Sequence, residues 1–152
     1  MDTPTYFTNP PFTVLGFAIR TDGAGSQTSI PALWEHIHSE GLLESIPGRR
    51  TDSVYAVYTH LENAGVNRDG WFTFLIGAEV DPATPVPNGM TLVTVPQSAR
   101  ATFNVPGADP TRVIEAWSEA WGFDDGRKTF LCEYEEYGAN GVFVALGVSE
   151  QG

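Results

Sequence analysis

One β-α-β-β run occurs twice along the chain, on either side of a proline-rich join, and this order of elements limits the fold more than any other feature. Residues 11–20 (PFTVLGFAIR) are rich in β-formers and predict a first strand, with Gly16 as the candidate for a bulge. Residues 21–29 form a polar loop. Residues 29–43 (SIPALWEHIHSEGLL) predict a helix, because Ile30, Leu33, Trp34 and Ile37 recur at helical spacing, Pro31 suits a first turn and Gly41 suits an end. Strands are expected over 53–60 and 70–80, separated by the turn residues Asn63, Gly65, Asn67 and Gly70. Residues 81–89 (DPATPVPNG) hold three prolines and read as a short, stiff linker.

The same order then repeats. A β segment over 90–105 is interrupted at Pro96. Asp109-Pro110 opens a helix with Val113, Ile114, Trp117 and Trp121 on one side, ended by Gly122 and Asp124-Asp125-Gly126. Strands over 127–137 and 141–148 follow, joined by Gly138-Ala-Asn-Gly141. The fold class expected is therefore α+β, a duplicated β-α-β-β module with pseudo-two-fold symmetry and antiparallel sheets. It forms a single domain over 1–152, with module one at about 11–80, the linker at 81–89 and module two at about 90–150. Residues 1–10 read as a polar lead-in. The cleft at the junction of two such modules is the natural place for a small molecule.

Charge narrows the partners. Nineteen acidic residues against eight basic give a formal charge of −11, with no basic cluster beyond Arg49-Arg50 and Arg127-Lys128. A nucleic-acid partner is not expected, since nothing supplies a cationic footprint to replace phosphate counterions. Cys132 is the only cysteine, and His36 and His38 fall about 200° apart on a helix, so no metal site and no cofactor are expected. The start carries no basic region and no long apolar run follows, so neither a membrane segment nor secretion is expected, and the cytoplasm is the expected location.

The candidate site lies in residues 129–137 (TFLCEYEEY). In a strand, Glu133, Glu135 and Tyr137 share one face, while Phe130, Cys132, Tyr134 and Glu136 share the other. A solvent-exposed acidic face would show the same pattern, and so would the wall of a cavity. Aromatic residues make up 12% of the chain, including four Trp, which is ample material for a stacking site. Trp117 and Trp121 suit either a core or a pocket wall, and Trp34 suits a core. Tyr55 and Tyr58 are three apart in a strand, so only one faces the cleft, and Tyr55 is the expected one.

The chain resembles the GyrI-like small-molecule-binding family, which is also the effector-binding domain of AraC-type and MerR-type multidrug regulators. The resemblance rests on Ile30-Pro-Ala-Leu-Trp34, Val54-Tyr-Ala-Val-Tyr58, Gly77-Ala-Glu-Val80, Pro87-Asn-Gly-Met90 leading to Val95-Pro96, Ile114-Glu-Ala-Trp117 and Glu135-Glu-Tyr137. It implies a central cleft with aromatic walls and a buried glutamate, holding hydrophobic or cationic aromatic compounds. The family's Phe-Glu-x-Tyr motif matches Tyr134-Glu135-Glu136-Tyr137, with Glu133 the alternative if the register slips by two. Ala56 stands where the family often has glycine, and Arg100 where it often has tyrosine. Arg100 is expected either at the surface or paired with a carboxylate.

The ligand-binding set implied is Glu135, Tyr137, Tyr55, Trp71, Phe103, Trp117, Glu133 and Trp121. No helix-turn-helix domain fits before residue 11, so a stand-alone form is expected. Two further functions stay open: a hydrolase of reactive small molecules such as cyclopropanoid alkylators, using Glu135 and Tyr137, and a protein-interaction or gyrase-inhibitor-like module.

Overall fold

In a computed structural model, which describes residues 4–123, 127–139 and 141–149, both β-α-β-β runs are present. The elements are β1 (Thr5–Asn9), β2 (Phe12–Thr21), α1 (Ser26–Glu40), β3 (Val54–Thr59), β4 (Phe72–Val80), β5 (Thr91–Val95), β6 (Ser98–Asn104), α2 (Val113–Gly122), β7 (Glu133–Gly138) and β8 (Gly141–Val148). The expected helix-end signal Asp124-Asp125-Gly126 and residue Asn140 of the last turn lie outside the described residues.

The eight strands form one antiparallel sheet in the order β1-β6-β8-β7-β3-β4-β2-β5. Each module contributes three neighbours, β3-β4-β2 and β7-β8-β6. The modules join where β3 pairs with β7, placing Ala56 opposite Glu135 and Tyr58 opposite Glu133. The leading strands cross over: β1 precedes β2 but pairs with β6, while β5 precedes β6 but pairs with β2. Pro10-Pro11 and Pro96-Gln97 make these crossings, and two residues between strand ends reach only about 10 Å. The sheet must therefore curl until its two edges stand close together. The Asn9 side-chain amide ties them by donating to the Pro96 carbonyl at 3.0 Å.

The curl has two differently used faces. On one, Val14, Tyr55, Val57, Leu75, Val95 and Tyr134 pack against each other without a helix. The other carries both helices. Ala116, Trp117 and Ala120 of α2 cover Ala101, Phe103, Val144 and Leu146, and Ile37 of α1 covers Ala56, Phe74 and Ile76. Helix α1 starts at Ser26, three residues before the expected start, so Pro31 sits inside it instead of in its first turn. Gly41 ends α1 in the left-handed conformation (φ 61°), as the sequence predicts. Asp109 caps a short 3-10 turn, accepting the Thr111 N–H at 3.0 Å, and that turn leads into α2.

Four local expectations are corrected. Residues 5–9 form a strand where a lead-in is expected. Its residues from Thr5 to Thr8 are exposed on both faces, so backbone pairing with β6 holds it without an apolar alternation. Strand β7 begins only at Glu133, because Phe130 takes a positive φ of 53° that breaks extended structure. Gly16 is no bulge: it lies in unbroken register opposite Gly77. Arg100 is not a surface residue, and its hydrogen bonds go to neutral groups, although its charge favours the ionised form of Glu133. Arg100 is wholly buried, its Nε donates to Asn9 Oδ1 at 2.6 Å and its Nη1 to the Cys132 carbonyl at 2.5 Å, and it lies 5.0 Å from the Tyr134 ring centroid. The guanidinium thus joins β1, β6 and the approach to β7 from the helix-free side.

Candidate ligand-binding site

A recess of about 1320 Å³ opens on the helical face where the two modules meet. The helical repeat builds two of its walls: Ile30, Trp34 and His38 face inward from α1, and Val113, Ile114, Trp117 and Trp121 from α2. Strand alternation builds the floor from Val54 and Tyr58 of β3, Phe72 of β4, and Glu133, Glu135 and Tyr137 of β7. Ala56, directly opposite Glu135, is wholly buried beneath α1 in the cluster that holds Ile37.

Trp34 stacks on His38 at 5.9 Å and 19°, while other rings of the recess meet edge to face. Trp117 meets Tyr58 at 5.1 Å between centroids and 72° between planes, and Trp34 meets Tyr137 at 5.3 Å and 71°. Trp121 continues the wall 6.0 Å from Trp117. These rings line the recess, and the face of an aromatic ring carries the negative part of its quadrupole.

Glu135 lies at the bottom, 3% exposed. Its Oε2 accepts the Tyr58 hydroxyl at 2.6 Å and the Trp117 indole N–H at 2.7 Å, and its Oε1 accepts the Tyr137 hydroxyl. Burial raises its pKa, and the three hydrogen bonds, led by that from Tyr137, oppose the rise. The groups that favour its charged form are thus all neutral. Burial, followed by the Glu135 charge, raises the pKa of Tyr58 and of Tyr137, so both phenols remain donors.

Glu133 is 6% exposed on the same face. Burial pushes its pKa up from 4.5 to about 7, while Arg68, Arg100 and Lys128 pull the other way. A carboxyl whose pKa rises on folding holds its proton more tightly when folded. Its stability contribution is complete below pH 4.5 and is lost as pH rises through about 7. Glu133→Gln is expected to flatten the decline of melting temperature across that window. Parallel melting curves for wild type and variant would contradict this.

The structure brings together five of the eight expected site residues: Glu135, Tyr137, Trp117, Glu133 and Trp121. It places three elsewhere. Tyr55 faces the helix-free side against Phe12 and Tyr134, with Glu136 beside it, and Tyr58 takes the place expected for it. Trp71 is half exposed ahead of β4, where its backbone N–H donates to Glu62 Oε1, and the ring that reaches the recess is that of Phe72. Phe103 is buried beneath α2 against Phe123. Trp34, expected in the core, lines the recess. The signal for Tyr58 is Ala56: a small residue where the resemblance expects glycine marks the recess face, and Tyr58 shares its parity.

The duplicated modules, the curled sheet and the junction recess define the GyrI-like effector-binding fold. The family model for Cass2, integron-associated effector-binding proteins, matches residues 7–123, and the chain belongs to that family. Among solved structures, the chain is similar to the integron cassette protein Cass2 from the mobile metagenome of Vibrio cholerae. That match has 23% identity and a TM-score of 0.74, covering 96% of this chain and 95% of that one. It is also similar to SAV2435 bound to tetraphenylphosphonium, with 15% identity, coverage of 98% and 94%, and a TM-score of 0.81. The C-terminal domain of EcmrR aligns over 97% of this chain and 98% of its own, at 13% identity and a TM-score of 0.52. No protein of curated function matches the sequence. Among the described residues, no helix is long and apolar enough to cross a membrane.

Proposed function

We propose that the recess binds hydrophobic, cationic aromatic molecules with Glu135 as their anchor, in the sequestration or sensing of drugs or toxins. The observation that carries this reading is the state of Glu135: a buried carboxylate held by Tyr58, Trp117 and Tyr137, none of which brings positive charge. Such a site satisfies the geometry of the anion and leaves its charge to be matched. An organic cation matches it without shedding the tightly held water of a small ion. Ring faces of Trp34 and Trp117 add attraction of roughly 0.5–2 kcal/mol each where water is excluded. SAV2435, which shares the fold, binds tetraphenylphosphonium, a cation of this class. Calorimetric titration with tetraphenylphosphonium tests the reading. Saturable one-site binding with quenching of Trp fluorescence is expected, and neither heat nor quenching would overturn it.

A further inference from the structure

The recess holds a second buried carboxylate, Glu133, and that residue has a companion. The loop between β3 and β4 brings Arg68 over the Trp121 ring, 4.5 Å from its centroid. Arg68, Trp121 and Glu133 together line both the main recess and a smaller one of about 220 Å³ beside it. Among the described residues, Arg68 is the only Lys or Arg that lines the main recess. Its electrostatic partners are Glu133 and Asp69, and of the three cations that favour the charged form of Glu133 it comes foremost.

The loop is built to keep it there. Asn63 Nδ2 donates to the Asp69 carbonyl at 3.1 Å, the Asp69 N–H donates to Asn67 Oδ1 at 2.9 Å, and the Gly65 N–H donates to the Phe130 carbonyl at 3.0 Å. The last of these fastens the loop to the segment that leads into β7. A cation over an aromatic face and beside a buried carboxylate is the arrangement the recess offers a ligand at Glu135. At Glu133 the chain supplies that cation itself.

We propose that Arg68 is a resident cation that occupies a second cation subsite, formed by Glu133 and the Trp121 face, and so restricts the recess to ligands with a single positive centre. This rests on the reading of Glu135 as anchor and deepens it by naming the ligand class admitted: aromatic monocations, with aromatic dications held off by Arg68. Residues 133 and 135 are two apart in a strand, about 7 Å at ~3.3 Å per residue. A dication whose charges stand at that spacing would reach both carboxylates, and its second charge would compete directly with the guanidinium.

The test compares two probes of similar shape, the dication 1,1′-dibenzyl-4,4′-bipyridinium and the monocation 1-benzyl-4-(4-benzylphenyl)pyridinium. Each is titrated calorimetrically at about pH 8, where Glu133 is largely ionised. Wild type is expected to prefer the monocation. Arg68→Gln is expected to raise the dication-to-monocation affinity ratio by about tenfold, since a desolvated carboxylate then loses the foremost of its three cations. Arg68→Lys keeps the charge and should keep the ratio near wild type. Adding Glu133→Gln to Arg68→Gln should cancel the gain. A ratio unmoved by Arg68→Gln, or a gain that survives Glu133→Gln, overturns the assignment. Neither result touches the Glu135 anchor, whose own failure would appear as monocation binding indifferent to Glu135→Gln in an otherwise wild-type chain.

Discussion

Glu135→Gln is expected to weaken tetraphenylphosphonium binding about a hundredfold, because removing one member of a desolvated charge pair costs several kcal/mol. The amide matches the carboxylate in volume and still presents an oxygen to Tyr58, Trp117 or Tyr137, so the loss reports charge more than shape. The wild-type protein should approach the same loss as pH falls. Burial raises the Glu135 pKa, so protonation sets in above the ordinary carboxylate range, and a neutral acid no longer draws the cation. Affinity measured by calorimetry should therefore drop on acidification in wild type and drop less in Glu135→Gln, where protonation of Glu133 still changes the charge of the recess. Equal affinities for the two proteins near neutral pH would dismiss the anchor.

Gly77→Ala is expected to destabilise the fold by about 3 kcal/mol or to prevent its formation, at the upper end of what overpacking a core costs. Gly77 and Gly16 face each other across β4 and β2. A Cβ on Gly77 would stand 2.2 Å from the Leu15 carbonyl oxygen, and one on Gly16 would stand 2.0 Å from that of Ile76. These obstacles are backbone atoms, which no rotamer change can move. Gly122→Ala is the control, since among the described residues no atom beyond its chain neighbours and its own helix backbone lies within 4 Å of a Cβ there, and its melting temperature should match wild type. Thermal melts of both variants decide the matter. A Gly77→Ala protein as stable as wild type would show that the two strands can part without loss.

The architecture was legible because it is written in local signals: helical spacing at Ile30, Leu33, Trp34 and Ile37, strand-formers around Val54 and Phe74, and prolines between the modules. Glu135 and Tyr137 were legible for a related reason, as alternation within a single strand needs no knowledge of its neighbours. What escaped depends on pairing. Apart from the hint at Ala56, choosing Tyr58 over Tyr55 rests on the β3–β7 register, which joins residues nearly eighty positions apart. β1 lacks an apolar face and exists through its partner. Arg100 is drawn inward by Asn9, 91 residues away, and by the Cys132 carbonyl, 32 residues away, and no pattern around residue 100 discloses either.

The crossed leading strands bear on how the two modules depend on each other. A chain cut within residues 81–89 would leave each piece holding one strand that belongs to the other piece's half of the sheet. Neither piece can satisfy its own hydrogen-bonding edges, since β1 needs β6 and β5 needs β2. Two separate copies of one module would meet the same requirement only by exchanging their first strands. The protein is in effect such an exchanged pair joined into one chain. The proline-rich join is a tether between interlocked partners, and the recess at their seam exists only while both are folded.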